Sequence, residues 1–414
     1  MKLSLFGRLT MALLASMALG LGMTACGGGT VAYIWVLGQQ YNQIAGFKVD
    51  DYTGNLTTSP TSPFSAGGAA PVSIIVKAGG RFIYVVNQGT GGTNLAPGTG
   101  QNIVELAVGG DGTLTYQATF HSQGFISKWA QFDPTSGFLY VLDQYAPPDT
   151  LTPTTPKTYG SITTFASDPT TGRLTLITNA QTKTSQGLNT NYWAVGNNPI
   201  MMKTAGTCLF TVNGADQSVS PYSFGGNGQL ITTTTGTQPL GTTSATSING
   251  NGANVYITDS NNGSLVSNYI HAYSVGAGCA LNLSNAGIQT NLPGTANPTY
   301  SVIDNSGKYL YVLNGANTAG TTGQPYSSIS GYVINSSTTQ LTPISTTPFS
   351  VGSGPVCMVE DSTNKYVYIS NRNDGTITGK VIDPTTGNLS DLPRGSTFNA
   401  TGQAGCLVLS GAVS

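Results

Sequence analysis

Charge is scarce in this chain. Asp, Glu, Lys and Arg together make up 7% of 414 residues, with 16 acids against 15 bases, where roughly 25% is usual for soluble domains. So few cations in so even a balance exclude the basic footprint that nucleic acid requires, and no nucleic-acid partner is expected. Histidine occurs twice and tryptophan three times. No Cys-x-x-Cys, His-Glu-x-x-His, Gly-x-Ser-x-Gly or phosphate-binding loop is present, so the sequence predicts no metal and no cofactor. A helical period is missing as well, which argues against helical repeats. Disorder does not follow from this polarity, because 39% apolar residues leave enough material for a core.

What is present begins with an export signal. Residues 1–26 carry Lys2 and Arg8, then an apolar run from Leu9 to Leu21 that is too short to span a bilayer, then small residues. Met23-Thr24-Ala25-Cys26 resembles the lipobox of bacterial lipoproteins, which implies a signal peptide over 1–25, acylation of Cys26 and anchoring in the cell envelope. An ordinary secretory signal with Cys26 incidental is the plainer alternative. Residues 26–32 read as lipidated cysteine and glycine tether, and 33–414 as one domain.

That domain repeats itself. FIYVVN from Phe82, FLYVLD from Phe138, YLYVLN from Tyr309 and YVYISN from Tyr366 are one strand written again and again, and units also start at Tyr33, Cys208 and Asn254. A period of roughly fifty residues signals propellers or solenoids. Each unit continues with a second strand, a tight turn such as DPTTGNL, DPTTGRL, DYTGNL, GGDGTL or GGNGQL, and a third strand. A fourth opens on proline, as in PVSIIVKAGGR from Pro71. Naming the proline strand A, the domain opens on strand B and closes on strand A, so residues 404–409 should pair with the strand starting at Tyr33 and latch a ring. NRNDG at 371–375 lacks the distal glutamate of a calcium loop and reads as a turn.

The repeated Tyr-Val-Tyr-Val strand and the t-G-x-L turn resemble the lactonase-type seven-bladed propellers, including phosphogluconolactonase-like and YVTN-repeat proteins. The resemblance covers 33–414 and implies an all-β, seven-bladed fold of four-stranded antiparallel blades. Strand and turn grammar says little about chemistry.

Alternation of strands puts the B–C and D–A loops on one end of the ring, and insertions from Gln88, Gln144, Gly187 and Gly315 gather there. This end is the expected binding face. Its insertions offer Gln144, Tyr145, Tyr192, Trp193 and Tyr326, which suit a neutral small molecule or glycan, or an envelope protein; pinning of long loops is the plainer role. Asn371 and its counterparts Asn87, Asp143, Asn213, Asp259 and Asn314 end six of the seven strands B, where capping the turn competes with facing a ligand. In relatives credited with lactone opening, His, Glu and Arg share that work, and here only His121, Asp143 and Arg372 could meet at the channel mouth. Arg372, Lys128 and Lys203 are the whole supply of cations there, too few for a sugar phosphate. The expected function is a monomeric, lipid-anchored binding scaffold, with a lactone hydrolase as the alternative. Cys357 and Cys406 occupy equivalent slots across the latch and Cys208 and Cys279 lie in adjacent blades, so two disulfides are expected in an oxidising compartment, with free thiols as the alternative.

Overall fold

In a computed structural model the chain is described over residues 29–149, 154–184, 186–260, 269–290, 297–315 and 327–411. Seven antiparallel sheets form seven blades. Six of the expected unit starts, Phe82, Phe138, Cys208, Asn254, Tyr309 and Tyr366, are the first residues of strand B in their blades. In blade 1 strand B begins earlier, at Thr30, and runs to Gly38.

The ring closes as its phase requires. The last strand, Ala404–Gly411, lies antiparallel to Thr30–Gly38, with Ile34 opposite Leu409 and Trp35 opposite Val408. It forms strand A of blade 1. Cys357 of strand A in blade 7 bonds Cys406 across this seam, with Cα atoms 5.0 Å apart, and Cys208 bonds Cys279 between blades 4 and 5 at 5.8 Å. Both spacings lie inside the range a disulfide bridges without backbone movement.

The repeated aromatics explain why the strand is written so often. The Trp35 indole N–H donates to Gly112 O at 3.2 Å, and the hydroxyls of Tyr256, Tyr311 and Tyr368 donate to Thr339 O, Gly387 O and Gly54 O at 3.2, 2.8 and 2.6 Å. Tyr84 makes the same bond to Gly172 O. Each acceptor sits in the C–D turn of the next blade, so one side chain joins neighbouring blades in place of sheet hydrogen bonds, which stop at a blade's edge. The turn glycines have two duties here. Gly54 and Gly387 adopt φ of 70° and 73°, and a Cβ on either would come within 2.5 Å of the Tyr366 or Tyr309 ring. No other residue meets both conditions.

One expectation needs revision. Strand D is continuous in blades 2 and 5 but split into two short pieces in the other five. In blades 6 and 7 glycine faces the strand B tyrosine, at Gly331 and Gly379, and the break in strand D lets Ile344 and Leu392 pack into the space that a side chain would have filled. The insertion from Gly187 belongs to such a break: Trp193–Asn197 is the second piece of strand D in blade 3, paired with strand C, rather than a D–A loop.

Candidate functional site: the end of the central channel

Strand A of every blade lines the channel, and at one end these strands enclose a cavity of about 240 Å³. Its walls come from strand A around the ring, among them Val72, Lys128, Trp129, Thr246, Thr299, Tyr300 and Cys406. Gln39 and Arg372, each just past the end of a strand B, complete the rim. Because strand A starts and strand B ends at the same end of a blade, the cavity opens on the end that carries the B–C loops. Sequence reasoning put the mouth at this end.

The cavity is rich in donors. Lys128 is half-buried and Arg372 reaches solvent at the rim, and neither has an ion-pair or side-chain hydrogen-bond partner among the described residues. Burial pulls both groups below their ordinary pKa values. The Trp129 indole N–H is buried without a partner among the described residues, and its ring lies 6.3 Å from that of Tyr300. Burial pushes the Tyr300 hydroxyl up to about 12, so it remains protonated. No carboxylate lines the cavity among the described residues. Lys203, further along strand A of blade 4, is likewise lowered by burial but is not part of the wall. Such an arrangement offers positive charge and N–H or O–H groups, and no base among the carboxylates or histidines.

The other residues expected at the mouth lie elsewhere. Asp143 is fully buried, where it accepts from Ser122 and Ser127 hydroxyls at 2.8 and 2.7 Å, from Thr163 at 3.3 Å and from the Gly124 N–H at 3.2 Å. Burial raises its pKa to about 6 against the pull of those hydrogen bonds. It holds the D–A loop in place and cannot touch a ligand. His121 is exposed just past the end of strand D in blade 2, Leu114–Phe120, the outermost strand of that sheet. The sequence joined His121, Asp143 and Arg372 because all three fall near loops of one end; the structure separates them by depth and radius. The strand B terminators cap. Asn371 is buried and its Nδ2 donates to Thr376 and Thr378 hydroxyls at 3.1 and 2.9 Å, and Asn213 repeats this with Ser218 and Ser220 at 3.0 and 3.1 Å.

The aromatic surface expected from the insertions is not assembled. Trp193 is 3% exposed and its indole N–H donates to Leu230 O at 2.8 Å, pinning blade 3 to blade 4. Tyr145 and Tyr192 are half-buried, Gln144 Nε2 donates to the Tyr145 hydroxyl at 3.1 Å, and none of the three lines the cavity. Tyr326 and Cys26 lie outside the described residues. Sequence reasoning missed Trp129 and Tyr300. The signal was available, since each falls in a strand A, the one element every blade turns towards the axis.

With this geometry established, likeness to known proteins has a definite meaning. Residues 286–407 match the signature of a family described as Lactonase, 7-bladed beta-propeller. No curated protein matches the sequence. Among solved structures, the Pseudomonas aeruginosa periplasmic gluconolactonase is 13% identical, with a TM-score of 0.66 over 92% of this chain and 100% of that one. A protein from Lactobacillus plantarum is 15% identical with a TM-score of 0.67 over the same shares. A Bacteroides fragilis protein provisionally assigned as a 6-phosphogluconolactonase is 15% identical with a TM-score of 0.66 over 92% and 98%. At such identities these likenesses speak of fold. In fold this chain is a seven-bladed β-propeller, and over residues 286–407 its sequence matches the lactonase-propeller signature.

Proposed function

We propose that this chain is an exported propeller, anchored through lipid on Cys26, that binds a small anionic, hydroxyl-bearing ligand at the loop-bearing end of its channel. The observation that supports this reading most is the pair Lys128 and Arg372 on one small cavity, with no carboxylate among the described residues to neutralise them. Unpaired cations near a low-dielectric wall are costly, and an anion with its own hydrogen-bond acceptors removes that cost. Gln39 donates to Pro71 O, Thr299 to Pro355 O and Thr246 to Thr258 O, so their side-chain oxygens are what they offer to ligand hydroxyls. A sugar acid matches this set better than the neutral ligand suggested by the insertions, of whose aromatic rings Trp193 is occupied in tying blade 3 to blade 4.

Gluconate serves as the probe, with glucose as its neutral counterpart. Calorimetric titration should show gluconate binding and no comparable glucose binding, and Lys128→Ala or Arg372→Ala should each weaken gluconate about tenfold to a hundredfold, following ~1.5–3 kcal/mol per charged hydrogen bond. Equal binding of the two sugars, or unchanged affinity in both variants, removes this reading.

A second reading draws on the fold shared with the gluconolactonase of Pseudomonas aeruginosa. Lactone opening turns a neutral ring into an anion, and the developing oxyanion would find Lys128 and Arg372 beside it. The base is what this reading lacks, since Asp143 is sealed and His121 is not among the residues lining the cavity. Turnover of glucono-lactone by the intact protein that collapses in Arg372→Ala but survives Asp143→Asn and His121→Ala would favour hydrolysis at this cavity.

A further inference from the structure

Blade 1 carries the chain's entry into the ring, and its two ends differ in what they meet. Its strand B runs from Thr30 to Gly38 and leaves at the end where the cavity opens. Gly29 therefore enters at the opposite end, the end of the short turns, and Asp51 N–H donates to its carbonyl at 2.9 Å in the C–D turn of the same blade. Between Cys26 and Gly29 there are two glycines. At no more than about 3.6 Å per residue, an acyl group on Cys26 is attached within roughly 11 Å of that turn.

We propose that the anchored protein stands on its short-turn end, with Tyr52 at the lipid interface and the Lys128–Arg372 cavity opening away from the bilayer. This rests on the reading that Cys26 is acylated. The occupant of the short-turn end is a lipid surface, for two independent reasons. The first is the tether, too short to let the ring turn over. The second is Tyr52, in the same turn as the Gly29 contact, which is 85% exposed, more than any other large apolar or aromatic side chain among the described residues. Its aromatic ring and terminal hydroxyl suit the headgroup layer. Asp50 and Asp51 precede it, so the contact is not an electrostatic one and anionic lipid should not strengthen it. The consequence for function is direct: a ligand reaches the cavity from the aqueous side without passing the membrane surface.

Blade 1 also supplies the matched probe. Tyr41, 58% exposed, lies in its B–C turn at the other end, beyond the eight-residue strand Gln43–Asp50, so it stands roughly 27 Å further out at about 3.4 Å per residue. The protein, exported and processed from the full chain, is placed in vesicles of brominated phosphatidylcholine, which quench tryptophan at the interface. Parent emission is subtracted. Tyr52→Trp should lose most of its added emission and Tyr41→Trp almost none, equally with and without anionic lipid. Quenching of Tyr41→Trp, or equal quenching of both, in protein bearing acyl mass on Cys26 overturns the orientation while leaving the anchor intact. Absence of acyl mass on Cys26 overturns both.

Discussion

At the short-turn end of the ring, aromatic residues of strand B donate to carbonyls of the next blade's turn, as Tyr368 does to Gly54 and Tyr311 to Gly387. At the loop-bearing end the same strands finish in Asn or Asp, which fold back on their own blade, as Asn371 does to Thr376 and Thr378. One end ties blades together. The other finishes these strands with bonds inside the blade and leaves the axis to side chains of strand A, among them Lys128, Trp129 and Tyr300, with Arg372 at the rim. Repetition therefore marks the structural end, and the residues with no counterpart in other blades mark the end where a ligand can be chosen.

The seam between blades 7 and 1 tests how much of the ring depends on ties. There the last strand supplies an inner edge, a disulfide and packing of Ala404 and Leu407 against Val36 and Cys357. A chain ending at Thr401 bares the inner edge of blade 1 and removes all three at once. The loss should match or exceed a whole domain's stability, about 5–15 kcal/mol. Insoluble or unfolded product is the expected outcome, measured by soluble yield and thermal melting; a soluble chain with unchanged melting would show that the other six seams hold the ring unaided.

Legibility in the sequence follows the same division. Strand starts, the seven-fold repeat, the latch and both cysteine pairings depend on period, phase and turn chemistry, all local properties that repetition reinforces. The cavity does not repeat. Lys128 and Arg372 were visible as rare cations at the correct end, but Asp143 was misplaced for a physical reason. In sequence it ends a strand B like Asn87 or Asn314, and only packing shows that Ser122, Ser127 and Thr163 close over it. Trp193 misled in a similar way, since an aromatic in a long polar insertion looks available until its partner, Leu230 of the next blade, is known.

A finer test compares the two tyrosines of one strand. Tyr368 is fully buried and its hydroxyl lies 2.6 Å from Gly54 O, whereas the Tyr366 hydroxyl lies 3.5 Å from Asp51 O and is only partly buried. Tyr368→Phe strands a buried carbonyl at the seam and should cost about 1–3 kcal/mol. Tyr366→Phe leaves its carbonyl to water and should cost a few tenths at most. Urea midpoints of the two variants measure the difference, and equal midpoints would mean that the rings, not the hydroxyls, tie the blades.

The smallest expected effect concerns a position where one blade departs from the others. Opposite the strand B aromatic, strand C carries Gly46, Thr164, Pro221, Ala272, Gly331 and Gly379 in six blades, but Glu105 faces Tyr84 in blade 2. Glu105 is fully buried and neither carboxylate oxygen has a hydrogen-bond partner among the described residues. Burial raises its pKa from 4.5 to about 7, against the pull of Arg173 and Lys77. Below pH 4.5 folded and unfolded chains both keep the proton and nothing is lost. Between 4.5 and about 7 the unfolded chain ionises first, so stability falls as pH rises, by up to about 1.4 kcal/mol for each pK unit of difference. Above about 7 both are ionised and the loss is constant. Glu105→Gln should flatten this part of the profile and, because the amide is also left without partners, should gain no more than about 1 kcal/mol at neutral pH. Asp143 and Glu360, raised by burial to about 6 and about 7, leave a slope of the same sign in the variant. Urea midpoints of wild type and Glu105→Gln across this pH range decide the matter: parallel profiles would show that Glu105 ionises at its ordinary pKa, and that the slot opposite Tyr84 is wetter than its neighbours.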